Sequence, residues 1–364
     1  MRNHKFIIAC AVLTGAGFLL AAAGIAAGGL VTGVSLNATG FHVYAPRLLE
    51  KDEKALYTQE EVQTEPFQRM QVSTEYADIY LQSSDTDEYR ISYCVGTETG
   101  IRYEVKDQTL LVQQGNGAAL SSSWFQNFSW FTFGSNSLVQ LGADQKKEFI
   151  MIQVPKKELA EIVLRTESGN VSCEHMQAGG LAMEAEYGNV SFKDLQTGDL
   201  KIDMESGNLW MEQVRGRSCS LSNEDGDLTI NGLKLDGDLR MDLDTGNIQL
   251  QGSSLRDLQL DGSYSFTSIR QCTLRDMTLY LESENCILEE TSFENCDIKS
   301  EYGDVSMELK EPLQSYGYQL ETEYGEITVD GRKLGEMYET LDADTKRKIR
   351  VQCESGDIRI EESR

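Results

Sequence analysis

Apolar and polar residues alternate around a short phrase that recurs along most of the chain. In one copy, Leu209 and Met211 follow Gly207 at the second and fourth positions, and Ile202 and Leu200 precede it at the fifth and seventh. Apolar residues at every second position indicate strands with one buried face. The pattern therefore predicts two short strands joined at each glycine corner.

The phrase returns at a nearly constant spacing. Successive glycines from Gly169 to Gly246 are 19 or 20 residues apart, and Ser265 and Glu284 keep the spacing without the glycine. The predicted turn glycines are Gly169, Gly188, Gly207, Gly226, Gly246, Gly303, Gly325 and Gly356. No helix-length periodic run separates the strands. These features predict an all-β fold, a parallel β-helix or solenoid with coils of about 19 residues.

The corner residues have predicted roles of their own. Glycine adopts a positive φ without steric cost, so we expect it to supply that geometry at each corner. The residue after the glycine is usually Asn or Asp, as in Asn170 and Asp227. Because short polar side chains bond nearby backbone groups in turns, we expect these residues to bond their own backbone.

Residues 1–36 differ from the rest of the chain. Residues 6–36 carry no charged side chain, and this stretch exceeds the roughly 20 residues with which a helix crosses a bilayer. Arg2 and Lys5 precede it, which favours an amino terminus inside the cell and the remaining chain outside. The sequence predicts one N-terminal transmembrane anchor. A signal peptide cleaved near residues 21–23 is the alternative.

Beyond the anchor we expect a polar stalk at 37–64 and a β-solenoid ectodomain at 65–364, interrupted by two inserts. The first, 121–137, is rich in aromatic residues, and we interpret it either as a binding surface or as a flap over the open end of the solenoid. Its candidate binding residues are Trp124, Phe125, Phe128, Trp130 and Phe131. The second insert, 331–350, is predicted to contain a short helix at 334–341 over the other end.

Most of the eight cysteines fall on inward positions of the repeat. Those that share positions with Leu, Ile and Met are Cys173, Cys219, Cys272, Cys286, Cys296 and Cys353. A free cysteine in such a position packs as a small hydrophobic residue. Disulfides between stacked coils are the alternative for a protein outside the cell. The chain has no CxxC motif and only His175 among the repeats, so the sequence predicts no zinc site.

A carboxylate recurs two residues before the corner, and this is the feature most able to carry function. The candidates on four successive coils are Glu167, Glu186, Glu205 and Glu224. Stacking would bring them about 4.8 Å apart, and their repulsion would favour binding of a cation or basic partner. The net charge of −26 excludes nucleic acid and anionic lipid as partners and favours cationic peptides. A solvated face without a ligand and weak Ca²⁺ bridging between coils are the alternatives.

Signatures of catalysis are missing from the sequence. It contains no GxSxG, P-loop or HExxH motif and no Cys/His pair. We therefore predict that the protein is not an enzyme and needs no cofactor. A carbohydrate-active β-helix enzyme is a remote alternative, because such enzymes need long loops beside a cleft and these coils are short and uniform.

Residues 149–155 and 159–171 carry a family resemblance. They contain an apolar strand, FIMIQVP, and then the phrase TESGNV, which resembles the entry to the "putative adhesin" domain of unknown function. That family has β-strand repeats and is common in Gram-positive bacteria behind one transmembrane helix. The resemblance spans about residues 65–364. It implies a cell-envelope β-helix and supplies no ligand or catalytic residue.

These observations lead to one functional hypothesis. We predict a single-pass protein of the cell membrane whose extracytoplasmic solenoid is a binding, adhesion-like or envelope-sensing surface for a cationic peptide, a cell-wall component or a protein. A passive structural spacer is the alternative.

Overall fold

The computed structural model of the protein describes residues 33–37, 40–44, 57–96, 100–115, 148–341 and 346–363. The chain divides into two compact units, Met1–Leu56 and Tyr57–Arg364. In the first unit, β1 (Gly33–Asn37) and β2 (Gly40–Tyr44) form an antiparallel pair.

The predicted membrane helix lies mostly outside the described residues, which leave out residues 6–32. Residues 33–36, at its end, belong to β1, so the helix prediction is wrong for them. Val34 and Leu36 alternate with Ser35 and Asn37, which is the period of a strand. Within the described ranges, no helix is long and apolar enough to cross a membrane.

The second unit consists almost entirely of strands. Its first strands are β3 (Tyr57–Thr64), β4 (Arg69–Thr74), β5 (Asp78–Ser84), β6 (Tyr89–Gly96), β7 (Ile101–Lys106), β8 (Thr109–Gln114) and β9 (Phe149–Pro155). The central strands are β10 (Glu158–Leu159), β11 (Glu161–Thr166), β12 (Val171–Glu174), β13 (Gln177–Tyr187), β14 (Val190–Lys193), β15 (Gln196–Ser206), β16 (Leu209–Glu212), β17 (Arg215–Gly216), β18 (Ser218–Asp225), β19 (Leu228–Asn231), β20 (Lys234–Leu235), β21 (Asp238–Gln251) and β22 (Asp257–Arg270). The last strands are β23 (Asp276–Ser283), β24 (Cys286–Thr291), β25 (Asn295–Tyr302), β26 (Val305–Leu309), β27 (Tyr316–Tyr324), β28 (Ile327–Val329), β29 (Arg332–Lys333), β30 (Met337–Glu339), β31 (Arg347–Ser355) and β32 (Ile358–Glu362). A 3-10 turn, Leu313–Ser315, precedes β27.

Each coil contributes one strand before the corner and one after it, and equivalent strands of neighbouring coils pair in parallel. Ile162 pairs with Leu181, and Leu181 pairs with Leu200, each step being one repeat of the sequence. These three side chains are at most 2% exposed, and they belong to a continuous apolar core inside the coils. The prediction of an all-β solenoid is confirmed.

Glycine is required at the corner for two reasons. Its φ is positive in most coils, and the backbones of neighbouring coils approach each other closely there. Gly207 has a φ of 136°, and a Cβ on it would lie 2.1 Å from the carbonyl oxygen of Gly188. Positive φ values are confirmed at Gly188, Gly207, Gly226, Gly246, Gly303 and Gly356. Gly169 and Gly325 make the same close approach, with a Cβ distance of 2.2 and 2.0 Å to the neighbouring carbonyl oxygen.

The residue after the glycine bonds the next coil. Asn170 Oδ1 accepts a hydrogen bond from the backbone N–H of Asn189 at 2.9 Å, and Asn189 Oδ1 accepts one from Asn208 N–H at 3.0 Å. The prediction that these residues bond their own backbone is therefore wrong, because the stacked coil presents an N–H within reach. We call this chain of bonds the Asn ladder. It continues through Asp227 and Asn247, and resumes from Asn285 through Asp304 and Asp357 to Glu326.

A second corner follows the second strand and also uses positive φ. The residues six positions after the glycine adopt φ values between 48° and 68°, which is left-handed geometry. They are His175, Asp194, Gln213, Gly232, Gly252, Gln271 and Glu290. Only two are glycine, so no glycine pattern marks this corner in the sequence.

The coils at both ends are stacked out of chain order. Strands β31 and β32 lie between β25/β26 and β27/β28, so Gly356 stacks on Gly303, and Gly325 stacks on Gly356. At the other end, β4 and β5 lie between β11/β12 and β8/β9. At the first end, the outermost coil is β8/β9, which is the second coil in the sequence. At the other end, the outermost coil is β27/β28, which is the last but one.

Antiparallel strands cover the outermost coils. Strands β7 and β6 pair with β8 and β9, and β30 and β29 pair with β27 and β28. Unpaired sheet edges promote association with other chains, and these strands provide the missing partners. The predicted helix at 334–341 is wrong, because Met337–Glu339 is extended and bonds the edge of β27. Tyr57–Thr64, which we expected in the stalk, pairs with β6.

The inward cysteines are buried as predicted. Among the described residues, Cys94, Cys173, Cys219, Cys272, Cys286, Cys296 and Cys353 are buried free thiols. Burial raises the pKa of Cys173 and of Cys219 to about 12, so both thiols stay protonated at neutral pH. Their role is packing.

Candidate binding face

The predicted carboxylates form a continuous row beside the glycine corner. Parallel pairing aligns Glu167 with Glu186, Glu186 with Glu205 and Glu205 with Glu224 on successive coils, because the flanking residues pair in the same order. In spatial order the carboxylate row is Glu75, Glu167, Glu186, Glu205, Glu224, Asp244, Glu282, Glu301, Glu354 and Glu323. Ser263 interrupts it between Asp244 and Glu282. The structure thus brings together the four glutamates that the sequence singled out.

Neighbouring charges perturb two members of the row. Partial burial raises the pKa of Glu167, and the carboxylates of Glu186 and Glu75 raise it further. The pKa of Glu205 is raised by partial burial and then by Glu186 and Glu224. Burial is the larger cause of both shifts, and repulsion between stacked carboxylates adds to it, as expected when like charges lie directly opposite each other in a sheet.

A shallow groove of about 330 Å³ runs along this part of the row. Its walls include Glu167, Glu186 and Glu205. Arg165 also lines the groove, but its Nε lies 2.7 Å from Glu184 Oε2, so this cation is already paired with a carboxylate outside the row. The groove therefore keeps a negative potential.

An exposed tyrosine row, which sequence reasoning missed, lies directly beside the carboxylates. These residues stand one position before the corner and are 57–77% exposed. The tyrosine row consists of Tyr76, Tyr187, Tyr264, Tyr302 and Tyr324. The recurrence of Glu-Tyr-Gly at residues 186–188, 301–303 and 323–325 is the signal that could have revealed it. Large aromatic side chains held in water at one repeated position have no role in the core.

A second groove lies at the other corner, beside His175 and Asp194, with a volume of about 580 Å³. Charges of both signs line it: Lys156 pairs with Asp85, His175 Nδ1 lies 3.2 Å from Asp194 Oδ2, and Arg215 adds a further cation. It therefore presents no excess of one charge to a ligand.

The aromatic candidates and metal binding remain to be considered. Trp124, Phe125, Phe128, Trp130 and Phe131 lie outside the described residues, in the segment that joins β8 to β9. Within the described part of the chain, no group of three or more His, Cys, Asp or Glu side chains converges to hold a metal ion. Weak Ca²⁺ bridging along the row stays a prediction.

Solved structures of similar fold come from several bacteria. A "putative cell adhesion protein" from Clostridium sporogenes is 14% identical, covers 84% of this chain and 100% of its own, and has a TM-score of 0.24. A "putative adhesin" from Parabacteroides distasonis is 10% identical, covers 85% of this chain and 98% of its own, and has a TM-score of 0.38. A "putative lipid binding protein" from the same species is 15% identical, covers 70% and 94%, and has a TM-score of 0.40. At these values the likeness transfers no role to this chain.

No curated protein matches this chain in sequence. The family profile of the Toastrack domain, DUF4097, matches residues 67–244 and again residues 237–361. The matches contain the stacked coils and the corner glycines, and they confirm the resemblance seen in the sequence. Since they span well over half of its length, the chain belongs to the Toastrack DUF4097 family.

Proposed function

We propose that this protein is a non-catalytic binding protein whose carboxylate row takes a cationic partner. The alignment of Glu167, Glu186, Glu205 and Glu224 on successive coils supports the proposal. Such an arrangement concentrates negative potential along one line of the surface and attracts cations and basic polymers.

The cost of the row also supports a role in binding. Stacked like charges oppose folding, and after partial burial they contribute to the raised pKa of Glu167 and of Glu205. A purely structural surface could carry neutral side chains at these positions. Retaining unfavourable interactions is typical of functional surfaces, where binding and stability compete.

We further propose that residues 1–32 anchor the protein in the cell membrane and that the solenoid is displayed outside it. The uncharged stretch at 6–32 and the positive charges before it support this orientation. The partner would then be a cationic peptide, a cell-wall component or a protein at the cell envelope.

A passive spacer is the second candidate. The Asn ladder ties neighbouring coils together from Asn170 to Asn247 and again from Asn285 to Glu326, and antiparallel strands cover both ends. These features describe a stiff, closed rod, which would separate other parts of the envelope without binding anything.

Ligand-linked stability separates the two candidates. A ligand that binds only the folded state raises the melting temperature beyond the effect of ionic strength. We expect millimolar CaCl₂ or a lysine oligomer to raise the melting temperature of Tyr57–Arg364 more than NaCl does at matched ionic strength. The variant with Glu167→Gln, Glu186→Gln, Glu205→Gln and Glu224→Gln should lose that difference.

The matched control carries the same change of charge away from the row. It is Glu158→Gln, Glu174→Gln, Glu294→Gln and Glu308→Gln, all at exposed positions. This control should keep the difference between the cationic ligands and NaCl. Equal shifts with every salt, in all three proteins, would refute the proposed function and favour the spacer, because simple screening does not depend on where the carboxylates lie.

A further inference from the structure

The tyrosine row repeats on alternate coils. Along the stack, Ser168 separates Tyr76 from Tyr187, Ser283 separates Tyr264 from Tyr302, and Ser355 separates Tyr302 from Tyr324. Between Tyr187 and Tyr264 the order is Ser206, Asp225 and Thr245, so that gap is four coils. Every tyrosine thus lies an even number of coils from the next, with a smaller residue on each intervening coil.

The alternation depends on the unusual order of the terminal coils. In chain order, the coil of Tyr324 follows that of Tyr302, and the two rings would stand on adjacent coils. The insertion of β31 between β25 and β27 puts Ser355 between them. The fold therefore restores the two-coil spacing at a place where the sequence order alone would break it.

Two coils correspond to about 10 Å, since neighbouring strands are about 4.8 Å apart. The residues on the intervening coils are smaller than tyrosine, and the five tyrosines are 57–77% exposed, so their side chains are accessible to a ligand. A matching ligand is an extended polymer that presents a flat apolar surface at this interval. In a β-1,4-linked glycan, alternate sugars face the same way, and two sugars advance the chain by a similar distance.

The adjacent carboxylate row selects the charge of that polymer. Glu186 precedes Tyr187, Glu301 precedes Tyr302 and Glu323 precedes Tyr324. A glycan with protonated amino groups would stack its ring faces on tyrosine and direct its charges to the carboxylates. We propose that the tyrosine and carboxylate rows together bind a linear β-1,4-linked amino sugar chain, a partly or fully deacetylated glucosamine polymer. This inference rests on the proposed function and names the partner for the same face.

The shape of the surface favours a glycan over a basic peptide. A polyproline helix repeats every three residues, about 9.3 Å, which is also near the two-coil spacing. However, such peptides dock into grooves between aromatic rings. The tyrosines here project from a corner, and the residues between them are small, so they offer raised flat contacts to a ribbon-like chain.

Binding of a glucosamine decamer by residues 57–364 tests the inference. Calorimetry at about pH 6 keeps the amino groups charged and the carboxylates largely ionised. The comparison ligands are the N-acetylated glucosamine decamer, a neutral cello-oligosaccharide and a lysine peptide. One variant combines Tyr187→Ala, Tyr264→Ala and Tyr302→Ala. Ser206→Tyr and Asp225→Tyr are two further variants, each with a single substitution. Trp210→Ala removes an aromatic residue that is 43% exposed but lies outside the row, and it is the control.

We expect the glucosamine chain to bind more tightly than the neutral glycans. The triple alanine variant should weaken binding at least about tenfold, since it removes several stacking contacts. Ser206→Tyr should weaken binding because it crowds the ring of Tyr187. Asp225→Tyr fills the four-coil gap and should strengthen binding about threefold or more, by adding a contact to a chain that is already held. Trp210→Ala should change nothing.

Three results would overturn the inference. Glucosamine binding that survives the triple variant would show that the tyrosines are not the contact. If the lysine peptide binds and none of the three glycans does, the protein is not a glycan-binding protein, and the proposed function still holds. If no cationic ligand binds and the melting temperature responds only to ionic strength, both the inference and the proposed function fail.

Discussion

Replacing a single corner glycine tests whether close contact between coils, rather than backbone conformation alone, demands glycine. Gly226 has a φ of 137°, and a Cβ on it would lie 2.1 Å from the oxygen and 2.7 Å from the carbon of the Gly207 carbonyl. Real Cβ atoms essentially never come within 3.0 Å of such atoms, so the coils must separate. That movement strains the hydrogen bond from Gly207 N–H to Asp225 O, which joins the same two coils and is now 2.9 Å long.

Gly252 is the matched control. It also has a positive φ, 59°, but a Cβ there would meet nothing within 4 Å. For Gly252→Ala the left-handed backbone costs about 1–2 kcal/mol, and reduced freedom of the unfolded chain offsets about 0.4–1 kcal/mol of this. Gly226→Ala would hold alanine at a φ of 137°, outside the left-handed region of Gly252, at a cost of about 1–3 kcal/mol. It adds an overpacking cost of about 1–3 kcal/mol, in a contact where backbone meets backbone.

Urea unfolding of both variants, followed by circular dichroism, measures the difference. We expect Gly252→Ala to lose about 0–1.6 kcal/mol, and Gly226→Ala to lose about 1–5.6 kcal/mol. If Gly226→Ala does not fold, a melting comparison of Gly252→Ala with the wild type still tests the smaller value. Equal losses in the two variants would refute the argument from close approach and leave φ as the sole reason for glycine.

Four further predictions follow from other parts of the molecule. Glu284 occupies a corner with a φ of 117°, so Glu284→Gly should raise stability by up to about 1 kcal/mol in the same urea assay, and a loss would show that its side chain makes a compensating contact. Cys286→Ser should cost about 1–3 kcal/mol by burying a hydroxyl and Cys286→Val should cost less, whereas a bridged cysteine in non-reducing mass spectra would contradict this packing role. Burial and the charges of Glu186 and Glu75 raise the pKa of Glu167, so its stabilising contribution is full below the ordinary value of about 4.3 and is lost as the pH rises through the folded value. Between these two pKa values the melting temperature should decline as the pH rises, and Glu167→Gln should reduce that decline. An unchanged slope would show that other groups cause it. The mature protein should keep residues 6–36 and fractionate with membranes, which amino-terminal sequencing of the purified protein can contradict.

The features that could be predicted from the sequence are those that repeat within one coil. Alternation around Gly207 predicts both strands and their buried side chains, because burial depends only on which face a residue occupies. The carboxylates were found for the same reason, since each keeps a constant offset from the corner. The left-handed second corner was missed because His175 and Gln213 adopt it without being glycine.

Features that depend on which coils are neighbours could not be predicted in this way. Every coil presents similar strand edges, so the sequence period is the same whether Gly356 stacks on Gly303 or on Gly325. At the end of the stack, β27 pairs with β31 on one edge and takes β30 as an antiparallel partner on the other. The two-coil spacing of the tyrosines becomes visible only after that order is known. The Asn ladder was missed because its bonds run between coils.

The stacking of the terminal coils has a consequence for how the rod comes apart. In a solenoid whose coils follow chain order, a protease or a pulling force can peel coils away from one end, and each departure exposes only the next. Here Arg347–Ser355 is held on both sides, by Asn295–Tyr302 and by Tyr316–Tyr324. Removing it would separate two other layers at the same time. This segment therefore closes the end of the stack, because the two neighbouring layers are joined only when it lies between them. Once inserted, it opposes the stepwise loss of coils from that end.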